Sequence, residues 1–324
     1  MIVPGGRTGR PIWLYIAALS LIRCLAFIFY EAETRPVQST IEVPIYFFVG
    51  GLAGAAALIA TVAELSGADA RLIRHSRWLA AFGGLISPAL LIADLGMPSR
   101  FLNMLRIFKI QSPMSVGSWT LMAFSNSAAA AAVLAELKKR RPNSAVRVLT
   151  NGAQIVSALT GLVLSSYMGV LIGATAIPLW NEHVSTLPIH FAASGIASAA
   201  SILELAGNES EALHRIAIGA TVAETAMGAS IELRRTASTR PLRHGVSGWA
   251  TRGAGLLSGP LPLALRLIAS FGSGSRKRCR DLRRAAAVSS LLGSFLTRFA
   301  WVHVGRVSAE DSSVPLQLKN ISAE

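Results

Sequence analysis

Residues 148–177 read VLTNGAQIVSALTGLVLSSYMGVLIGATAI, thirty positions without one charged side chain. A helix crosses the hydrocarbon of a bilayer with about 20 mostly apolar residues. This stretch therefore predicts a membrane-spanning helix. Seven more segments have that character: Pro44–Ala63, Trp78–Leu95, Met114–Ala135, Leu187–Ala206, Leu213–Ile231, Trp249–Phe271 and Ala285–Val304. The Trp249–Phe271 segment is the weakest, because Pro260, Pro262 and Arg266 interrupt it. Ile12–Tyr30 is a further candidate with Arg23 at its middle. A spanning helix and a signal-like segment both stay open for it. The predicted fold class is all-α: a polytopic helix bundle with eight core spans, divisible into two four-helix bundles. The expected organisation is an N-terminal segment over 1–40, a membrane domain over 41–312 and a tail over 313–324.

The composition agrees. The chain has 324 residues, of which 52% are hydrophobic and 15% charged, where a soluble domain carries about 25% charged residues. Mean hydropathy is +0.49. Too few charges remain to coat a soluble globule of this size. The net charge of +14 would suit nucleic acid if it formed one basic face. Here the cations sit in short clusters between apolar runs, which excludes that reading. Loops on the cytoplasmic side are enriched in Lys and Arg. With the core starting outside, the inner loops hold Arg71, Arg74 and Arg77, then Lys138 to Arg141 with Arg147, then Arg215, then six cations between Arg276 and Arg284. The outer loops hold about half as many. The loop with Arg234, Arg235, Arg240 and Arg243 runs against this bias. Cys24 and Cys279 form no metal-ligand spacing, so neither an iron–sulfur cluster nor a structural disulfide is expected. Small residues recur through the spans, as in Gly50–Gly54 and Ala192–Ser201, and favour close helix approach.

Ionisable and hydrogen-bonding groups inside a bilayer are costly unless paired or wet, which makes each a functional candidate. With this topology Tyr46 lies near the outer end of the first span and Asp94 at the outer end of the second. Tyr167 falls about ten residues before the end of the fourth, roughly 15 Å below the outer surface. Arg100, Arg106 and Lys109 follow Asp94 in the outer loop. Trp180, Asn181, Glu182 and His183 occupy the next one. Tyr46 and Trp180 also suit an interfacial aromatic belt, and Asp94 also suits a helix-end acid paired to Arg100. Glu224 mid-span and Glu64 at an inner end are candidates for a proton path, the latter equally a helix cap. Arg298 is either a counter-ion for these acids or a snorkelling cation. His190 and His303 fall near helix ends, and no pair of histidines is well placed within the spans to ligate haem.

Several of these residues belong to longer motifs. DLGMPSRFLNMLRIFK from Asp94 to Lys109, with QSPMSVGSW from Gln111 to Trp119, resembles the signature of the NrfD/PsrC family. These are the integral membrane subunits of polysulfide reductase-like complexes. VPIYFFVGGLAG (Val43–Gly54), SYMGVLIGATAIPLWNE (Ser166–Glu182) and LTRFAWVHVGRVSAEDS (Leu296–Ser312) extend the resemblance over Ile41–Ser312. Met97 stands where the family's DLGRP motif has Arg.

The resemblance implies an eight-helix protein of the bacterial cytoplasmic membrane without haem or iron–sulfur cluster of its own. It implies electron exchange between a menaquinone or ubiquinone pool and a periplasmic four-cluster ferredoxin-like iron–sulfur subunit, with a molybdopterin catalytic subunit beyond. Membrane lipids are the remaining partner, and nucleic acid is none. Matched residue by residue, Tyr167 and Tyr46 would bind the quinone. Asp94 would then exchange the accompanying protons, and Arg100, Arg106 and Lys109 would line the outer mouth or dock the partner subunit. Tyr46 takes the place of a His found in one branch. A phenol cannot titrate near neutral pH as imidazole does. Two alternatives stay open: a quinone-inactive anchor or proton-translocating module of such a complex, and a secondary transporter.

Overall fold

The computed structural model describes residues 42–95, 98–140, 143–175, 177–234, 242, 245–272 and 275–310, with Glu42, Pro98, Arg100, Val246 and Glu310 described in their backbone alone. The candidate helix Ile12–Tyr30, Cys24, Met97, Arg235, Arg240, Arg243 and the 313–324 tail lie outside the described residues. Among the described residues there are eleven helices: α1 Glu42–Leu65, α2 Ala70–Leu95, α3 Pro98–Met104, α4 Pro113–Arg140, α5 Ser144–Gly173, α6 Pro178–Glu182, α7 Thr186–Leu205, α8 Glu211–Leu233, α9 Gly245–Ser258, α10 Pro260–Phe271 and α11 Arg276–Glu310. Eight spans are long and apolar enough to cross a membrane, α9 and α10 together making one of them. The protein is a multi-pass membrane protein.

The helices reach further than the apolar stretches. α2 begins at Ala70 rather than Trp78, because the Asp69 carboxylate accepts from the Arg71 amide at 3.1 Å and caps the first turn. α11 begins nine residues before Ala285. At 1.5 Å per residue its 35 residues measure about 52 Å, well beyond the roughly 30 Å of hydrocarbon. Its basic first turns therefore extend past the bilayer. α5 ends at Gly173, four residues before the predicted end. Ile177 is extended and precedes Pro178, and a residue before proline is driven out of the helical region. Between α9 and α10 the chain breaks at Gly259, where Pro260 opens the next helix. One carbonyl freed near the break, that of Leu257, accepts from the Ser289 hydroxyl of α11 at 2.8 Å. The bilayer requires such internal satisfaction.

α1, α2, α4 and α5 pack as one four-helix bundle, and α7, α8, α9–α10 and α11 as a second. The bundles meet through α1 on α7, α5 on α7 and α1 on α11. Exchanging the bundles maps this contact pattern onto itself, so the halves repeat in parallel rather than inverted. Glycines set the closest approaches. A Cβ at Gly54 would overlap the backbone carbonyl of Gly161, joining α1 to α5. One at Gly195 would meet the Gly51 carbonyl at 2.9 Å, joining α7 to α1. Backbone contact this close maximises dispersion where no hydrophobic effect drives helices together.

Candidate functional site

The end of the first bundle away from its Lys/Arg-rich loops brings three predicted residues to one level. A Cβ at Gly50 would lie 3.6 Å from Ser87 of α2 and 3.5 Å from Met168 of α5, and one at Gly84 would lie 3.4 Å from Ser125 of α4. Counting along the helices from these pairs places Tyr46, Asp94 and Gly117 within about one turn, roughly 5 Å, of the same height. Tyr167 starts lower, but its ring rises along α4. It fills the space that Gly117 leaves for want of a side chain. Its hydroxyl donates to the Pro113 carbonyl at 2.6 Å. Because α5 stops at Gly173, Tyr167 lies six residues from the helix end, about 9 Å below it, not the roughly 15 Å expected.

Both tyrosines are 5% exposed and close enough to interact electrostatically. Tyr46 is thus a packed interior residue and not an interfacial belt aromatic. Asp94 is half-buried, and its Oδ1 is shut from solvent with no hydrogen-bond partner among the described residues. A buried carboxylate oxygen in that state has lone pairs free for a hydroxyl or proton from outside the fold.

α3 and the loop after it lie beside Asp94, at the C-terminal end of α2 and the N-terminal end of α4. Ser115 ties the loop down, accepting from the Lys109 amide at 3.0 Å and donating to the Ile107 carbonyl at 3.1 Å. The QSPMSVGSW motif is thereby a clasp as well as a helix start. Arg106 and Lys109 are exposed. Around them the segment turns Leu102, Ile107, Phe108, Ile110 and Met114 outward, each more than half exposed. This apolar rim lies beside the tyrosine and aspartate level.

α6 links the bundles. The Trp180 indole donates to the Trp301 carbonyl of α11 at 3.0 Å, over the space at Gly305. Trp180 therefore docks α6 onto the second bundle instead of marking the lipid interface. His183 is fully buried, edge-on to the Trp301 ring at 6.1 Å, with no partner for either nitrogen among the described residues. Burial pushes its imidazole below the ordinary histidine pKa. Arg234 adds to that shift and Glu182 opposes it.

The second bundle holds a polar interior that the sequence announces only in part. Arg298 does not snorkel: it is 1% exposed. Its guanidinium donates to Ser194 at 2.6 Å and to the Ser294 hydroxyl at 2.5 Å. It also lies over the Phe191 ring at 5.1 Å. Ser198 joins through Ser294 at 2.8 Å. Glu224 is equally buried, and the Ser194 and Ser258 hydroxyls lie near its carboxylate. It faces Arg298 electrostatically without a contact ion pair. Towards the other membrane side, Arg266 grips both oxygens of Glu204 at 2.8 and 2.7 Å and reaches Ser201 at 3.0 Å. His214 bridges Glu204 and Ser270 at 3.2 and 2.9 Å. Sequence reading missed Ser194, Ser198, Ser201, Glu204 and Ser294. The available signal was the spacing His190, Ser194, Ser198, Ser201, which repeats one helix face through an apolar run. Glu64 is not a cap but an ion-pair partner of Arg77 at 2.5 Å, and Arg77 also donates to Gln154 at 2.8 Å.

A family model described as "Polysulphide reductase, NrfD" matches residues 34–226, more than half of the chain. The match covers the Tyr46, Asp94 and Tyr167 motifs and ends within α8, so the Leu296–Ser312 stretch lies outside it. No curated protein sequence matches the chain.

Proposed function

Since the chain belongs to the NrfD family, the membrane subunits of polysulfide reductase-like complexes, we propose that it exchanges electrons between a menaquinone or ubiquinone pool and a periplasmic iron–sulfur partner, with a molybdopterin subunit completing the complex. The reacting quinone binds at the outer end of the first bundle. One observation carries the reading: Tyr46, Tyr167 and the Oδ1 of Asp94, which has no hydrogen-bond partner among the described residues, lie at about one level there. The adjoining apolar rim of α3 and its loop suits an isoprenoid tail crossing from the lipid.

In quinol oxidation two electrons leave for the iron–sulfur partner and two protons leave the quinol oxygens. The tyrosine hydroxyls orient the ring by hydrogen bonds to those oxygens. Asp94 accepts the protons one at a time as a general base. Glu224 and the Arg298–Ser194–Ser294 network, with Glu204 and His214 beyond, offer groups for a proton path through the second bundle. Glu64 is the corresponding group in the first.

One observation favours a second reading. The Tyr167 hydroxyl already donates to Pro113, as it would in an anchor subunit with no quinone to hold. Tyr167→Phe and Asp94→Asn in the assembled complex separate the two. Quinol oxidation falling steeply in both, with assembly intact, supports the quinone site. Unchanged quinol oxidation leaves the anchor reading.

A further inference from the structure

A cleft of about 120 Å³ opens between α1, α2 and α4 at the Lys/Arg-rich end of the first bundle, on the side away from the tyrosines. Its walls carry Glu64, Arg74, Arg77, Trp78, Glu136 and Lys139. Three alanines, Ala70, Ala132 and Ala135, leave the space.

The charges in the cleft are unbalanced in a particular way. Arg77 is committed inward to Glu64 and Gln154. Arg74 and Lys139 share the single carboxylate of Glu136, at 2.8 and 3.4 Å. Their side chains remain 55% and 57% exposed. A guanidinium and an ammonium flanking one carboxylate leave a net positive charge at the mouth. A guanidinium fork and a flexible ammonium together suit phosphate oxygens. Trp78 lies on the same wall, and indoles favour the headgroup level of a bilayer. Its ring stacks on Phe82 at 5.4 Å. Phe82, Leu85 and Ile86, all at least half exposed, then continue along α2 towards the middle of the bilayer. A charged cleft thus opens onto an apolar stripe on the same helix.

We propose that this cleft seats the phosphodiester headgroup of an anionic phospholipid, with its acyl chains along the Phe82–Ile86 face. Basic pockets between spanning helices on the cytoplasmic side have this chemistry. The reading is independent of quinone binding, since it concerns the opposite end of the bundle.

Native mass spectrometry of the purified full chain, offered equal phosphatidylglycerol and phosphatidylcholine, tests it. The wild type is expected to retain phosphatidylglycerol selectively. Arg74→Gln and Lys139→Gln should each lower that retention about fivefold, the contribution of one cation near an anionic lipid. Ala135→Leu should lower it too, by filling the cleft with no change of charge. Arg140→Gln, one residue beyond Lys139 and exposed, should leave it intact. The proposal is overturned if Arg140→Gln loses as much lipid as Lys139→Gln, since the diffuse field of the rim would then suffice. It is equally overturned if inorganic phosphate displaces the lipid at equal concentration, or if Ala135→Leu has no effect.

Discussion

Gly117 is where the outer site is most sharply testable. A methyl group there would overlap the Tyr167 ring at Cζ and the hydroxyl oxygen. The clash cannot be relieved along α4, because Gly117 lies near the start of that helix between Ser115 and Ser118, which are both hydrogen-bonded. The Tyr167 ring must therefore move, and its hydroxyl leaves the Pro113 carbonyl 2.6 Å away. Overpacking a filled site costs about 1–3 kcal/mol, and a lost hydrogen bond about 0.5–1.5 kcal/mol. Gly117→Ala is thus expected to destabilise the first bundle by roughly 1.5–4.5 kcal/mol. Thermal unfolding in detergent reads the loss. A double-mutant cycle with Tyr167→Ala isolates its cause, since removing the ring removes the clash. The coupling should be favourable and of order 1–3 kcal/mol. An additive cycle, or a Gly117→Ala protein as stable as wild type, would refute the placement of the tyrosine.

Arg266→Met leaves Glu204 buried without its guanidinium, so it should cost about 3–5 kcal/mol; Glu204→Gln added to it should recover much of that in the same unfolding assay. Glu224→Gln leaves the buried Arg298 guanidinium without the carboxylate that faces it, so it should lower the melting temperature in the same assay; if Glu224 relays protons, proton uptake by the complex in liposomes falls as well. The folded state holds His183 below its ordinary pKa of 6.5, so below that pH the unfolded chain binds more protons. Stability should then fall as pH drops through 6.5, and His183→Asn should flatten that slope in melts across the range.

The spans were legible because a bilayer imposes a length and a composition on each helix separately. That is a local constraint, and a run such as 148–177 satisfies it without reference to any other residue. The weakness of the Trp249–Phe271 segment was equally local, and Gly259–Pro260 became a real break. Helix ends were misjudged where charge continued a helix past the apolar run, as at Ala70 and Arg276. The motif around Asp94 and the fourth-span tyrosine could be read by resemblance, since their order in the chain is preserved.

What the chain alone could not determine is which polar groups meet. Arg298 and Ser194 are 104 positions apart, Trp180 and Trp301 are 121 apart, and Tyr167 and Pro113 are 54 apart. Sequence periodicity gives each helix a face but not the rotation and height at which faces dock. Those were decided by glycine contacts such as Gly54 with Gly161 and Gly51 with Gly195, where backbones approach closely enough to fix register. Composition and span length were enough to locate the eight core spans and to name residues that could do chemistry. Only the packing decided that Arg298 is buried among serines, that Arg266 belongs to Glu204, and that the Tyr167 ring fills the space at Gly117.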